Sequence, residues 1–213
     1  MTHLAKIIVP IVLSVCFVFS SASAEEKMRV IYYSNTGNTK VVCEVISKDF
    51  AADLIEIKDL KNDPETIQKA VSGGMRKREK GKTSGGKKDK MPGMPKLVMD
   101  MDISPSSIDF SSYSRIVIGS PIWMGKLVPA VNKLLAIYKL DNKKVVPLTT
   151  SNAIELLPRQ EAYKEAVRKS GADVAAYYQV RVKDDPKAGL TREEILYEAE
   201  KLIPAIKAVF KLT

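Results

Sequence analysis

Histidine and cysteine are scarce in this sequence, and their scarcity removes several classes of mechanism. The 213 residues include one histidine, His3, so catalysis by a histidine base is not expected in the mature protein. The two cysteines are Cys16 and Cys43. Cys16 lies in a predicted signal segment, and a lone thiol cannot form an internal disulfide. We interpret Cys43 as a small buried residue of a helix; a reactive thiol is the less favoured interpretation.

Long apolar runs are also rare, and the main one lies near the amino terminus. Residues 1–24 combine the positive charge of Lys6, an almost wholly apolar run over 7–19 and the small residues of Ala22-Ser23-Ala24. These features predict a cleavable secretory signal. A membrane span needs about 20 apolar residues, so an uncleaved anchor is the less favoured alternative. We expect export to the periplasm or the extracellular space, with no integral membrane span in the mature chain.

Positive charge is in excess, and most of it is concentrated in one segment. The formal net charge is +9, and the segment at about 73–96 is rich in glycine, proline and basic residues. It has too few apolar residues to form a core, so we expect an exposed insertion. A solvated loop is the favoured interpretation, and a docking surface for an acidic partner or anionic lipid is the alternative. Aromatic residues do not interleave the basic ones, so nucleic-acid binding is not expected.

The rest of the chain alternates between strand and helix patterns. Strands are predicted at 28–33, 53–58, 115–119, 143–148 and 175–183. Helices are predicted at 40–50, from 63 to about 71, at 130–138, at 161–170 and from 191 onward. Thr191 and Glu194 have the spacing of a capping box, Pro147 weakens the end of its strand, and Pro204 is expected to kink the last helix. This alternation predicts an α/β domain with a parallel sheet covered on both faces.

Polar or aromatic loops follow three of the predicted strands, at 34–39, 120–126 and 149–153. Carboxyl ends of parallel strands share one edge of the sheet, where ligands of such folds bind. The first loop, Ser34 to Thr39, leads into a helix whose unpaired amides and dipole favour an anion. Gly37 would let the backbone approach that anion, which suits a phosphate monoester. The dinucleotide and P-loop fingerprints are absent, and an ordinary capped helix start is the alternative.

Two stretches of the sequence resemble motifs of the flavodoxin family. Ile31 to Thr39 resembles the first strand and phosphate loop of that family, and Ile116 to Gly125 resembles the strand and loop that flank its flavin ring. The resemblance covers about residues 28–212, and it implies a flavodoxin-like domain over 25–213. It also implies a doubly wound, five-stranded parallel sheet in the order 2-1-3-4-5, a three-layer α/β sandwich, and FMN at the switch point.

The resemblance implies that each of the three loops contributes to an FMN site. The phosphate would bind the first loop, through Ser34, Asn35, Thr36, Gly37, Asn38 and Thr39. The flavin ring would lie against the second loop, through Pro121, Ile122, Trp123 and Gly125, with Trp123 as the stacking aromatic. The third loop would contribute Thr149, Thr150, Ser151 and Asn152. The alternative for Trp123 is an aromatic that anchors the loop. The resemblance implies neither a catalytic side chain nor a metal ligand.

Three functions are compatible with this sequence. The leading hypothesis is an exported FMN-binding redox protein that passes electrons to a partner protein, for which acidic character is expected, or to a small-molecule acceptor. The second is a flavin-dependent NAD(P)H or quinone reductase. The third is a flavodoxin-fold binding protein without a cofactor, whose working surface would be the basic insertion. Fold resemblance alone does not choose between them.

Overall fold

The computed structural model describes residues 27–60, 102–123, 125–152, 157–182 and 190–212. The predicted signal peptide, the predicted helix from 63 to about 71 and the basic insertion lie outside these residues.

Nine strands and five helices make up the described part of the chain. The strands are β1 (Lys27–Tyr32), β2 (Asp53–Glu56), β3 (Lys58–Asp59), β4 (Ile103–Ser104), β5 (Tyr113–Trp123), β6 (Lys126–Leu127), β7 (Lys144–Ser151), β8 (Asp173–Val174) and β9 (Tyr178–Arg181). The helices are α1 (Asn38–Asp49), α2 (Pro129–Ile137), α3 (Leu157–Lys169), α4 (Arg192–Glu200) and α5 (Ile203–Phe210). Among these helices, none is long and apolar enough to cross a membrane.

The central sheet has the order β2-β1-β5-β7-β8. Strand β9 lies on the same side of β7 as β8 and pairs with a later part of β7. All of these pairs are parallel. Since β5, β7 and β8–β9 correspond to the third, fourth and fifth strands predicted from the sequence, the predicted order 2-1-3-4-5 is confirmed. Parallel strands of this kind need crossover helices, and these cover both faces of the sheet.

Two apolar clusters hold the three layers together. On one face, Ile31 and Ile118 of the sheet pack with Leu134 of α2 and Tyr163 of α3. On the other face, the sheet residues Val30, Val117 and Leu148 pack with side chains of α1, α4 and α5. Successive residues of β1 and β5 point to opposite faces, and both faces are covered by helices. The sequences of these central strands are therefore nearly continuous apolar runs. The predicted doubly wound α/β fold is confirmed.

The predicted strand over 175–183 is wrong in its extent, because β8 and β9 are separate segments. Their interruption lies opposite Pro147, which β7 carries within its length. The carbonyl of Val145 accepts a hydrogen bond from the amide of Ala175, so Val145 faces the β8 side. Pro147 is two residues further along and faces the same side, where it has no N–H to donate. Pro147 therefore interrupts the neighbouring strand, and the prediction that it weakens its own strand is wrong.

Several other boundaries also differ from the predictions. The second strand ends at Glu56, although the amide of Ile57 still donates to the carbonyl of Tyr32 in β1, at 2.7 Å, and β3 then pairs with β4. Helix α3 begins at Leu157, before the predicted start at 161. The last helix is divided into α4 and α5 just before Pro204, as its predicted kink indicated.

Candidate functional site

The candidate site lies where β1, β5 and β7 end side by side. From β1 the chain crosses to β2 on one side, whereas β5 lies on the other side. The point between β1 and β5 is therefore the switch point of the sheet, where ligands of open α/β folds bind. The residues that follow β1 and those that end β5 and β7 are the predicted site residues, so the fold brings the three stretches to one edge.

The first loop leaves the start of α1 without a side-chain cap. Gly37 is the N-cap residue, in the left-handed region with a φ of 91°, which a residue with a side chain adopts only at a cost. Its amide donates to the Ser34 hydroxyl at 3.1 Å, and the first helical hydrogen bond runs from the amide of Val41 to the carbonyl of Gly37 at 3.0 Å. The three amides of residues 38–40 donate to no group in the described part of the chain.

The surroundings of this loop leave room for a ligand. A Cβ atom added to Gly37 would meet nothing within 4 Å. The side-chain oxygen of Asn35 is buried and has no hydrogen-bond partner among the described residues. Thr36 is exposed, and Ser34 and Asn38 are half-buried. Free amide donors and open space together fit a phosphate group.

Thr39 and Gly119 hold the first turn of α1 against the sheet. The hydroxyls of Thr39 and Thr150 are 2.7 Å apart and both are buried, which joins α1 to β7. A Cβ on Gly119 would lie 2.4 Å from the sulfur of Cys43 and 3.2 Å from Cγ2 of Thr39. Glycine at this position of β5 therefore permits the close approach of α1. The uncapped helix start is thus held at the sheet edge by contacts distant in the sequence.

Cys43 is fully buried in α1, as the sequence analysis favoured. Burial raises the pKa of its thiol far above the ordinary value, and the nearby carboxylate of Glu44 acts in the same direction. Because the thiolate is the reactive form of cysteine, this thiol is inert at neutral pH. The structure gives Cys43 the role of a packing residue under Gly119.

The predicted second loop is wrong at its beginning, because Ser120 to Trp123 continue strand β5. Ser120 pairs with Thr149 and Pro121 with Thr150, and Ile122 and Trp123 then form a tight antiparallel hairpin with β6. Pairing first with β7 and then with β6 extends the strand beyond the apolar run that marked it in the sequence.

Trp123 is half-buried at the end of β5 and packs edge-on against Tyr33. The centroids of the two rings are 5.7 Å apart and their planes make an angle of 81°. Burial, assisted by the Asp59 carboxylate, raises the pKa of Tyr33 to about 12, so its phenol is neutral at physiological pH. Trp123 therefore has the anchoring contact that the sequence analysis kept as its alternative, and part of the side chain is still exposed at the site.

The predicted third loop is also mostly strand, since Thr149, Thr150 and Ser151 end β7. The Thr149 hydroxyl is 2.7 Å from that of Tyr177, and the Ser151 hydroxyl accepts from Nε2 of Gln179 at 2.6 Å. These hydroxyls bond to neighbouring segments of the fold. Asn152 is exposed beyond the strand, and residues 153–156 lie outside the described part of the chain.

Arg159 is a site neighbour that the sequence analysis missed. Gly125, in the hairpin between β5 and β6, has a φ of 73°. A Cβ atom on Gly125 would lie 2.5 Å from Cζ of Arg159, so the guanidinium lies directly against this glycine. Arg159 is near the start of α3, far along the chain, and no local motif connects it to Gly125. Within the described ranges, no group of three or more His, Cys, Asp or Glu residues could hold a metal ion.

The fold and the polar loop at its switch point define a class of nucleotide-binding α/β domains, and comparison with known proteins narrows this class. The family model for flavodoxin matches residues 27–175. The chain therefore belongs to the flavodoxin family. No curated protein matches the sequence. A candidate flavoprotein from Bacteroides eggerthii DSM 20697 has a TM-score of 0.57 and 19% identity, over 88% of this chain and 99% of that one.

Other solved structures are also similar to this chain. A candidate flavoprotein from Bacteroides uniformis ATCC 8492 has a TM-score of 0.56 and 16% identity, over 82% of this chain and 98% of that one. A flavoprotein in complex with FMN from Lactobacillus acidophilus NCFM has a TM-score of 0.48 and 20% identity, over 72% of this chain and 93% of that one.

Proposed function

We propose that this protein is an exported flavodoxin that binds FMN and transfers electrons through it. The observation that carries the proposal is the start of α1, where three amides have no acceptor in the described part of the chain and face the switch point. Flavodoxin-like folds bind FMN at this point. Membership of the flavodoxin family supports the same cofactor.

The residues present fit the two ends of FMN differently. The phosphate would be held by Ser34, Thr36 and Asn38 together with the free amides, beside the open space at Gly37, whereas the predicted Thr39 hydroxyl is buried against Thr150. The ring would lie against Trp123 and the hairpin at Gly125. Bound FMN would supply one-electron and two-electron transfer. The protein's part is to position the cofactor, and no side-chain acid or base is assigned to the transfer.

Export and the partner are part of the same proposal. The secretory signal over 1–24 and the basic segment at about 73–96 support delivery outside the cytoplasm and an acidic redox partner or a small-molecule acceptor. Fractionation of cells that express the full chain tests export. A mature protein that begins at Glu25 in the exported fraction is the expected result, and retention of the uncleaved chain in the cytoplasm would contradict it.

Binding of FMN is tested by titrating the purified mature chain with FMN and with riboflavin, which lacks the phosphate. We expect FMN to bind at least about 100-fold more tightly, since each hydrogen bond to a charged group contributes about 1.5–3 kcal/mol. The bound flavin should then exchange electrons with a protein acceptor. Failure to bind FMN would overturn the proposal. Oxidation of NAD(P)H with a quinone acceptor, faster than with free FMN, would indicate a reductase instead.

A further inference from the structure

Arg159 brings a positive charge to the end of the site where the flavin ring would lie. Its guanidinium lies against Gly125, with Cζ, Nε and one terminal nitrogen 2.5, 2.7 and 2.8 Å from the position of a Cβ on that glycine. Gly125 is two residues after Trp123, in the hairpin that ends β5. The arginine thus lies beside the ring end of the site, in space that a side chain at Gly125 would occupy.

No carboxylate in the described part of the chain forms an ion pair with Arg159. The first turn of α3 contains no acidic residue. The same helix also carries Arg168, which pairs with Glu161 and Glu165 at 3.7 Å each. The exposed side chain of Lys126, next to Gly125, adds a second positive charge to the hairpin. A negative charge also lies near the site: the Asp59 carboxylate helps to raise the pKa of Tyr33, which follows β1.

We propose that Arg159 sets the reduction potential of bound FMN by stabilising its reduced form. The inference rests on the proposed function. Reduction of FMN by two electrons and one proton adds one negative charge to the ring. A positive charge close to the ring attracts this added charge and has a weaker effect on the neutral oxidised ring. Arg159 therefore favours binding of reduced over oxidised FMN and acts as a potential-tuning residue.

The orientation of Arg159 distinguishes this role from a purely structural one. Many exposed arginines form surface ion pairs, which contribute little to the free energy of unfolding. Arg168 has such contacts. Arg159 forms no ion pair with any of the described residues, and its guanidinium is directed at a glycine of the ring-side hairpin. A structural arginine would change the stability of the protein when it is replaced. A potential-tuning arginine would change the preference between the two redox states of the ligand.

The test compares four forms of the mature chain: wild type, Arg159→Gln, Arg159→Lys and the control Arg168→Gln, which removes the same charge further along α3. The midpoint potential of bound FMN is measured at neutral pH and low salt, by slow enzymatic reduction beside a reference dye. The dissociation constant of oxidised FMN is measured in parallel. For Arg159→Gln we expect the preference for reduced FMN to fall about tenfold, which is a potential lower by about 30 mV for a two-electron couple.

The remaining arms separate charge from folding. Arg159→Lys should keep most of the wild-type potential because it keeps the charge, and Arg168→Gln should match wild type. Added salt should lower the wild-type potential toward that of Arg159→Gln, because exposed charges are screened. The inference would be overturned if Arg159→Gln and Arg168→Gln had equal potentials, or if the wild-type potential did not change with salt concentration. Either result would leave the proposed binding of FMN intact. A wild-type protein that binds no FMN would overturn the proposed function itself.

Discussion

Helices α1 and α4 begin in opposite ways, although each follows a strand of the same parallel sheet. At α4, the Thr191 hydroxyl accepts from the amide of Glu194 at 3.2 Å, and the Glu194 carboxylate accepts from the amide of Thr191 at 2.7 Å. Two acidic residues occupy its first turn. At α1, Gly37 provides no side-chain cap, the first turn contains no acidic residue, and three amides have no acceptor in the described part of the chain.

The difference separates a helix start that stabilises the fold from one that is suited to a ligand. The carboxylates of α4 already occupy the place where an anion would interact with the helix dipole. At α1 the dipole and the amides have no anionic side chain to meet them, and this start lies at the switch point of the sheet. A cap at α1 would improve the helix and exclude a phosphate, so the absence of the cap agrees with the proposed FMN site.

The largest expected effect comes from giving α1 the acidic first turn that α4 has. In Asn38→Asp, the new carboxylate should repel the phosphate and lower FMN affinity about 100-fold, while interaction with the dipole raises the free energy of unfolding by about 0.5 kcal/mol. Flavin titration and urea unfolding measure the two changes. Riboflavin is the ligand control, because its binding should change little. A variant that binds FMN as wild type does would show that the start of α1 is not the phosphate site.

A smaller effect is expected where α1 is joined to β7. Thr150→Val leaves the buried hydroxyl of Thr39 without its partner and should lower the free energy of unfolding by about 1–3 kcal/mol. Thr39→Val with Thr150→Val should cost less than the sum of the single variants, because neither hydroxyl is then left unpaired. Urea unfolding of the four members of this cycle measures the coupling. Simple additivity would mean that the two hydroxyls do not hold α1 to the sheet.

The smallest effect is expected at α4. Thr191→Ala removes the side-chain cap and should lower the free energy of unfolding by about 1 kcal/mol. FMN affinity should be unchanged, since this cap serves stability alone. Urea unfolding and flavin titration check both statements. A loss of FMN affinity similar to that of Asn38→Asp would remove the functional distinction between the two helix starts.

The features that were predictable are those that depend on residues close together in the chain. The capping box of Thr191 and Glu194 is one example, because both partners lie in a single turn. The polar loop before α1 is another, since Gly37 and the loop side chains are consecutive. The sheet order was implied by the family resemblance, and the structure confirms it.

The boundaries of strands were less predictable because partners elsewhere in the chain decide them. Strand β5 continues through Pro121 to Trp123 since β7 and β6 offer hydrogen-bonded partners there. Strand β7 includes Thr149 to Ser151, whose polar side chains suggested a loop, because β9 lies alongside. The gap between β8 and β9 follows from a proline in a different strand.

The alternation of strands and helices, the position of the polar loop before α1 and the cap of α4 follow from local sequence, because apolar periodicity and capping act over a few neighbouring residues. The three-dimensional fold was needed to show that Thr39 meets Thr150, that Trp123 packs on Tyr33, and that Arg159 lies against Gly125. Each of these contacts joins distant parts of the chain, and it depends on strand pairing and on the close approach of a helix or a hairpin.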